Sequence, residues 1–291
     1  MPIRGSCLCG DVTFTIETAG AILYHCHCSM CRKAHGAAFA TYVAAPRGSV
    51  ALHGDGSVKH YASRPGSERA FCGRCGSVVP PGTRASGVEI VPVGLLDEDP
   101  GLRPLLHIFV GAKAPWHTIT DQLPRHEAYP PGWGEALAVA RPTEHAAGEV
   151  RGSCLCGGIA YAVDGALEGP IVCCHCTRCQ KARAGAHASN TFVALPRFRW
   201  LRGEELVASY KVPEAKTFTH SFCSVCGGGV PRVSVERSRV VIPSPGLDDD
   251  PGARPELHIF VESKAPWHEI SDDLPQYATY PPGDFPPPPR R

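Results

Sequence analysis

The residues best suited to chemistry are cysteines in short, recurring spacings. CHCSMCRK at 26–33 places Cys26, Cys28 and Cys31 within six positions, and CHCTRCQK at 174–181 does the same with Cys174, Cys176 and Cys179. Upstream of each triplet lies a Cys-x-Cys pair, Cys7 with Cys9 and Cys154 with Cys156. Downstream lies a Cys-x-x-Cys pair, Cys72 with Cys75 and Cys223 with Cys226. Closely spaced cysteines in a reducing compartment serve as metal ligands or reactive thiols more often than as disulfides. A disulfide framework fits poorly here. The cysteines divide unevenly between the two halves, and the opening MPIRGSCLCGDV has no apolar stretch of a secretory signal.

In an extended segment residues i and i+2 share a face, so Cys7 and Cys9 can offer both sulfurs to one ion. The glycines of FCGRCG allow a tight knuckle that turns Cys72 and Cys75 toward the same ion. Together they predict a closed four-sulfur structural Zn2+ site, and Cys154, Cys156, Cys223 and Cys226 predict a second. Such sites contribute roughly 10–16 kcal/mol in small zinc peptides, more than a small β domain draws from its own core. The triplets supply three ligands and leave a fourth place, the pattern of a zinc with an exchangeable position. Three thiolates leave the ion with net negative charge, a poor setting for making hydroxide but a good one for holding an incoming thiolate. The expectation is two zinc ions per repeat, four per chain, with a small thiol in the fourth place of each triplet. His25, His27, His35 or Cys173 would close a triplet internally instead, although in an extended strand His27 points away from Cys26 and Cys28. An iron–sulfur cluster would be one ligand short. His107 and His258, at the start of apolar strands, read as packing or hydrogen-bonding residues. Lys113-Ala-Pro-Trp116 and Lys264-Ala-Pro-Trp267 read as strand ends that cover the core.

These clusters are positioned by a sequence that repeats itself. RGSCLCG occurs at 4–10 and 151–157, and HIFVGAKAPWHTITDQLP (107–124) returns as HIFVESKAPWHEISDDLP (258–275). The reading is a tandem duplication: a first domain 1–129, a linker 130–150 with one short helix at Trp133–Ala140, a second domain 151–283, and a Pro-rich tail 284–291. Within each copy the apolar period is two, as in Val12, Phe14 and Ile16 or Ile159, Tyr161 and Val163. VALHGDGSVKHY (50–61) and FRWLRGEELVASY (198–210) each read as two strands around a turn, and helix is limited to a turn after Cys31. The fold class is therefore mainly β, mostly antiparallel, in two tandem domains. A formal net charge of +1 and the lack of a basic, aromatic-studded strip argue against a nucleic-acid partner. No run approaches the roughly 18 apolar residues a spanning helix needs, so no membrane partner is expected, and the location is read as cytoplasmic.

In these residues the chain resembles the glutathione-dependent formaldehyde-activating enzymes, a family that includes centromere protein V. GSCLCG, CHCSMCRKAHGAAF, FCGRCGS and LDEDPGLRPLLHIFVGAKAPW carry the resemblance in copy one. GSCLCG, CHCTRCQKA, FCSVCGG and LDDDPGARPELHIFVESKAPW carry it in copy two. It implies two tandem Mss4-like zinc-binding β domains, with structural zinc on the outer pairs and a second zinc on each triplet. The implied activity is that of a carbon–sulfur lyase on a thiol–aldehyde adduct such as S-hydroxymethylglutathione, with glutathione and an aldehyde as partners. The alternative is a non-catalytic zinc-stabilised binding module. Copy two departs from copy one. Cys173 replaces His25, and QKARAGAHASNTF after Cys179 reads about two residues longer than RKAHGAAFATY, so tighter thiol binding is expected in repeat one. Arg32, Lys33, Arg178 and Lys181 are candidates to attract an anionic thiol.

Overall fold

A computed structural model describes residues 2–65, 67–81, 87–134, 148–167, 169–283 and 285. Of the expected linker helix at 133–140 only Trp133 and Gly134 are described, and neither is helical; the rest of it and most of the tail 284–291 lie outside these residues. The chain is mainly β, as its period-two patterning implies. Val12, Phe14 and Ile16 are buried while Thr13 faces solvent, because successive strand side chains point to opposite faces.

Each repeat has three sheets. In repeat one, Ile3–Ser6, Thr13–Ile16 and Val50–His53 form an antiparallel sheet. A second sheet runs in the order Pro104–Ile108, Ile22–Cys26, Ala40–Pro46, Val88–Pro92. The hairpin Val58–Arg64 with Ser67–Cys72, edged by Val78–Val79, forms the third. Repeat two answers with Glu149–Ser153, Ala160–Asp164 and Phe198–Arg202. Its second sheet has six strands, centred on Ala188–Ala194, Ile171–Cys174 and Pro255–Ile259, and its hairpin is Val207–Lys211 with Thr219–Cys223. The pairing is not antiparallel throughout. Pro104–Ile108 runs parallel to Ile22–Cys26, and Pro255–Ile259 parallel to Ile171–Cys174, because the long connections between these strands allow a crossover that a tight turn would not.

Two helices follow the triplet strands: α1, Ser29–His35, and α2, Thr177–Arg183. Helix begins before the third cysteine rather than after it. The second cysteine caps the helix, with Cys28 Sγ accepting from the Cys31 amide at 3.3 Å and Cys176 Sγ from the Cys179 amide at 3.4 Å. The expected two-residue insertion in copy two is absent. Thr177 and Ala188 both lie 148 positions after their counterparts Ser29 and Ala40, so the segments between are equal in length and differ only in side chains.

The repeats pack against each other and share one core, in which Phe14, Leu23 and Val43 join Tyr161, Ile171 and Val240. The contacts are reciprocal. Lys33 of α1 reaches Asp248 and the Ser153 hydroxyl of repeat two, and Lys181 of α2 reaches Asp97 and Ser6 of repeat one. Gly76 has φ +76° and an ideal Cβ there would lie 2.4 Å from the Phe222 ring; Gly227 has φ +71° and would meet the Phe71 ring at 2.5 Å. Both knuckle glycines thus serve the left-handed turn and the approach of the other repeat's aromatic ring. Among the described residues no helix is long and apolar enough to cross a membrane.

Candidate metal and thiol centres

The outer pairs close into two clusters. The four sulfurs of Cys7, Cys9, Cys72 and Cys75 all lie within 4.8 Å of one another, as do those of Cys154, Cys156, Cys223 and Cys226. Cys9 Sγ is 3.5 Å from Cys7 Sγ and 3.6 Å from Cys72 Sγ. Tetrahedral zinc with sulfurs at about 2.3 Å requires sulfur–sulfur spacings of about 3.8 Å, so the donor sets fit that ion. The geometry differs from the extended pair expected at Cys7 and Cys9. The strand ends at Ser6, and a turn closed by Gly10 N–H donating to Cys7 O brings the two sulfurs together. Hydrogen bonds from Cys72 and Cys75 pull the Cys7 thiol far below the usual range, and those from Cys223 and Cys226 do the same to Cys154, while burial pushes Cys9 up to about 12. Neighbouring thiolates repel, so one ionises at the others' expense, and a divalent cation is what would let all four ionise. Each cluster is covered by the other repeat's hairpin: Tyr61 packs against Cys154, Cys223 and Cys226, and Arg74 beside the first cluster lies 5.7 Å over the Tyr210 ring.

The triplets also assemble. Cys26, Cys28 and Cys31 form one group with sulfurs within 4.8 Å of one another, and Cys174, Cys176 and Cys179 another; among the described residues no fourth His, Cys, Asp or Glu joins either. The candidate internal ligands are turned elsewhere. His25 Nδ1 is 2.9 Å from Thr41 Oγ1, and His35 lies between the Arg183 carbonyl and the Tyr42 hydroxyl. Cys173 pairs across the sheet with Ser189, as His25 does with Thr41. Strand alternation sends its side chain to the face opposite Cys174, so the fourth sulfur considered for copy two does not reach the triplet.

Each triplet strand is braced by a histidine relay. Asp121 accepts from His107 Nε2 at 3.0 Å, which leaves His107 Nδ1 to accept from His27 Nε2 at 2.8 Å. Asp272, His258 and His175 repeat this at 3.1 and 2.8 Å. The relay neighbours belong to a larger buried group around Phe39 and His187, including His117 and His268. Burial holds His27 down at about 2 and His117 at about 3, so these two imidazoles are neutral near neutral pH.

The expected cations are spent on structure. Arg32 is buried and donates to the His27 and Ala112 carbonyls, and Lys33 and Lys181 bind the opposite repeat. Arg178 is exposed. The groups that do touch the first triplet are Arg69, whose Nη2 is 3.5 Å from Cys31 Sγ, and Tyr42, whose hydroxyl is 3.5 Å from the same sulfur and 2.8 Å from His35 Nε2. Hydrogen bonds from Cys26 and Cys28, then the Arg69 charge, hold the Cys31 thiol well below its usual range. In repeat two a different thiol is favoured: bonds from Cys174 and Cys179 thiols, then the Cys179 amide, bring Cys176 down to about 3. The equivalents of His35, Tyr42 and Arg69 are Arg183, Asn190 and His220, where Arg183 donates to His220 Nε2 at 3.0 Å and His220 Nδ1 donates to the Cys75 carbonyl at 2.9 Å. The joint change of these three positions between copies is the signal by which the sequence could have revealed them.

The sequence profile of the family described as "Glutathione-dependent formaldehyde-activating enzyme" matches residues 2–112 and again 149–263. The chain belongs to this family. A Halomonas elongata protein that carries the provisional name of a glutathione-dependent formaldehyde-activating enzyme is 33% identical over 87 residues, covering 27% of this chain and 55% of the relative. The chain thus spans about half the length of the curated relative it matches. The crystal structure of a Rhodobacter sphaeroides protein aligns at 24% identity over 36% of this chain and 97% of its own, with a TM-score of 0.29. The family match falls twice on the chain, once on each repeat, in keeping with the tandem reading.

Proposed function

We propose that the protein is a zinc-dependent carbon–sulfur lyase of the formaldehyde-activating type, acting on a thiol–aldehyde adduct such as S-hydroxymethylglutathione. The repeat, 1–129 and 151–283, is its unit, with the Pro-rich tail 284–291 outside it. The observation that carries this reading is a pair of three-sulfur groups with no fourth ligand grouped with them among the described residues, beside two complete four-sulfur groups. Cys7, Cys9, Cys72 and Cys75, with Cys154, Cys156, Cys223 and Cys226, would hold structural zinc. Cys26, Cys28 and Cys31, with Cys174, Cys176 and Cys179, would hold a zinc that supplies a fourth position for the substrate sulfur. In the cleavage direction the carbon–sulfur bond breaks with its electron pair going to sulfur, and the hydroxyl gives its proton to solvent water as the aldehyde carbonyl forms. The chain's part is to hold three sulfurs rigidly on a capped helix end and a braced strand. Arg69 adds positive charge where the leaving thiolate gathers negative charge.

The test is metal content and thiol response of the full chain. Elemental analysis should give four zinc ions per chain, and cobalt(II) placed in the triplets should change its visible spectrum when glutathione is added. Two metals per chain and a spectrum indifferent to thiols would refute the reading and leave a zinc-stabilised binding module.

A further inference from the structure

The hairpins of the two repeats carry different side chains on one face, away from the triplets. In repeat one His60 and Glu68 lie diagonally across the hairpin and pair, with His60 Nδ1 3.1 Å from the carboxylate. Counted from the paired cysteines Cys72 and Cys223, the same places in repeat two hold Ser209 and Thr219. Two short hydroxyl side chains thus replace two longer charged ones. Ala70 and Pro81 likewise give way to Ser221 and Arg232.

Repeat two has a cavity of about 330 Å3 at this face, near the small end of the roughly 300–1,000 Å3 of ligand pockets. Ser209, Thr219 and Ser221 line it from the hairpin, where strand alternation puts all three on one side. The Ser209 and Ser221 hydroxyls are 2.9 Å apart. Arg232 enters from the strand Arg232–Ser234, Trp200 from Phe198–Arg202, and Glu204 from the turn Glu204–Leu206. None of Cys174, Cys176 and Cys179 borders it.

The lining is charged but unpaired. Arg232 and Glu204 share the cavity, yet among the described residues neither makes a hydrogen bond or an ion pair. Arg232 is half-buried, and burial, then the nearby Arg237, pulls its guanidinium below the usual range, a setting that a bound anion relieves. An anion alone would also face Glu204, and a cation alone would face Arg232. A molecule with both charges satisfies both groups, while Trp200, Val207 and Val233 offer an apolar wall.

We propose that this cavity binds a small zwitterion of the amino-acid class with an apolar side chain. Its carboxylate would sit on Arg232 and the hydroxyls, its ammonium toward Glu204, and its side chain against Trp200. The site is separate from the triplets, and the proposal stands whether or not they take a thiol.

The experiment is calorimetric titration of the metal-replete full chain with L-leucine, with 4-methylpentanoate, which lacks the ammonium, and with 3-methylbutylamine, which lacks the carboxylate. Leucine should bind roughly tenfold tighter than either, the range of one charge-assisted bond. Arg232→Gln should weaken leucine and the acid by about that factor and leave the amine unchanged; Glu204→Gln should weaken leucine and the amine and spare the acid. Ser209→His with Thr219→Glu, which rebuilds the pair of repeat one, should abolish binding while circular dichroism and metal content stay those of the parent. No binding of leucine, an acid that binds as tightly as leucine, or binding that survives these substitutions would overturn the proposal. So would a change in the spectrum of cobalt(II)-loaded triplets on adding leucine, which would place the ligand there instead.

Discussion

His187 sits at the centre of the buried histidine group, with ring centroids 5.2 Å from His175, 5.8 Å from His268 and 5.7 Å from Phe39. The same 148-residue offset makes it the counterpart of Phe39, so repeat one already shows that a phenylalanine fits this environment. Burial holds His187 down at about 4, against about 6.5 in an unfolded chain. Because the folded value is the lower one, the unfolded chain takes the proton first as pH falls. Stability is therefore intact above about pH 6.5 and declines until about pH 4. At pH 5 the unfolded imidazole is mostly charged and the folded one mostly neutral, a loss of about 2 kcal/mol at ~1.4 kcal/mol per unit. With an unfolding entropy of about 2.1 cal/mol/K per residue over 291 residues, this corresponds to about 3 °C in Tm. We expect the Tm gap between His187→Phe and the parent to move in the variant's favour by about that amount from pH 7 to pH 5. Scanning calorimetry of metal-replete protein measures it, and acid loss of metal affects both proteins alike. A gap unchanged to within a degree would show that His187 is not held neutral by its surroundings.

Gly227→Ala should cost at least about 2 kcal/mol, from the left-handed φ and the collision with the Phe71 ring; a urea midpoint shift worth less than half of that would contradict the contact. Lys33→Met and Lys181→Met should each cost about 1–2 kcal/mol, since both ion pairs cross between repeats and remain partly exposed. A loss in one and none in the other would deny the reciprocity. Cys72→Ser and Cys223→Ser should lower Tm far more than Cys28→Ser, because each opens a closed cluster; equal losses would mean the closed and open assignments are wrong.

What the sequence determined by itself was local. The spacings around Cys7, Cys26 and Cys72 and their second copies were enough to sort fourteen cysteines into the two groups of four and two groups of three seen in space, because cysteines two or three residues apart are brought together by a single turn. Period-two patterning likewise revealed the strands around Val12 and Ile159. The turn at Cys7 and Cys9, and the start of α1 ahead of Cys31, were missed because hydrogen bonding, not hydrophobic period, sets them. The apparent insertion after Cys179 came from comparing letters that had changed without changing in number. Tertiary structure alone decided the rest. The direction of Cys173 depends on which face of its strand meets the shared core. The tasks of Lys33 and Lys181 depend on acceptors in the other repeat, and that of Arg32 on the Ala112 carbonyl 80 positions away in its own repeat. Arg69 and Tyr42 reach Cys31 across 38 and 11 positions. No local rule of spacing records such contacts, because burial against the opposite sheet and repeat, rather than chain neighbourhood, brings those side chains to the sulfur.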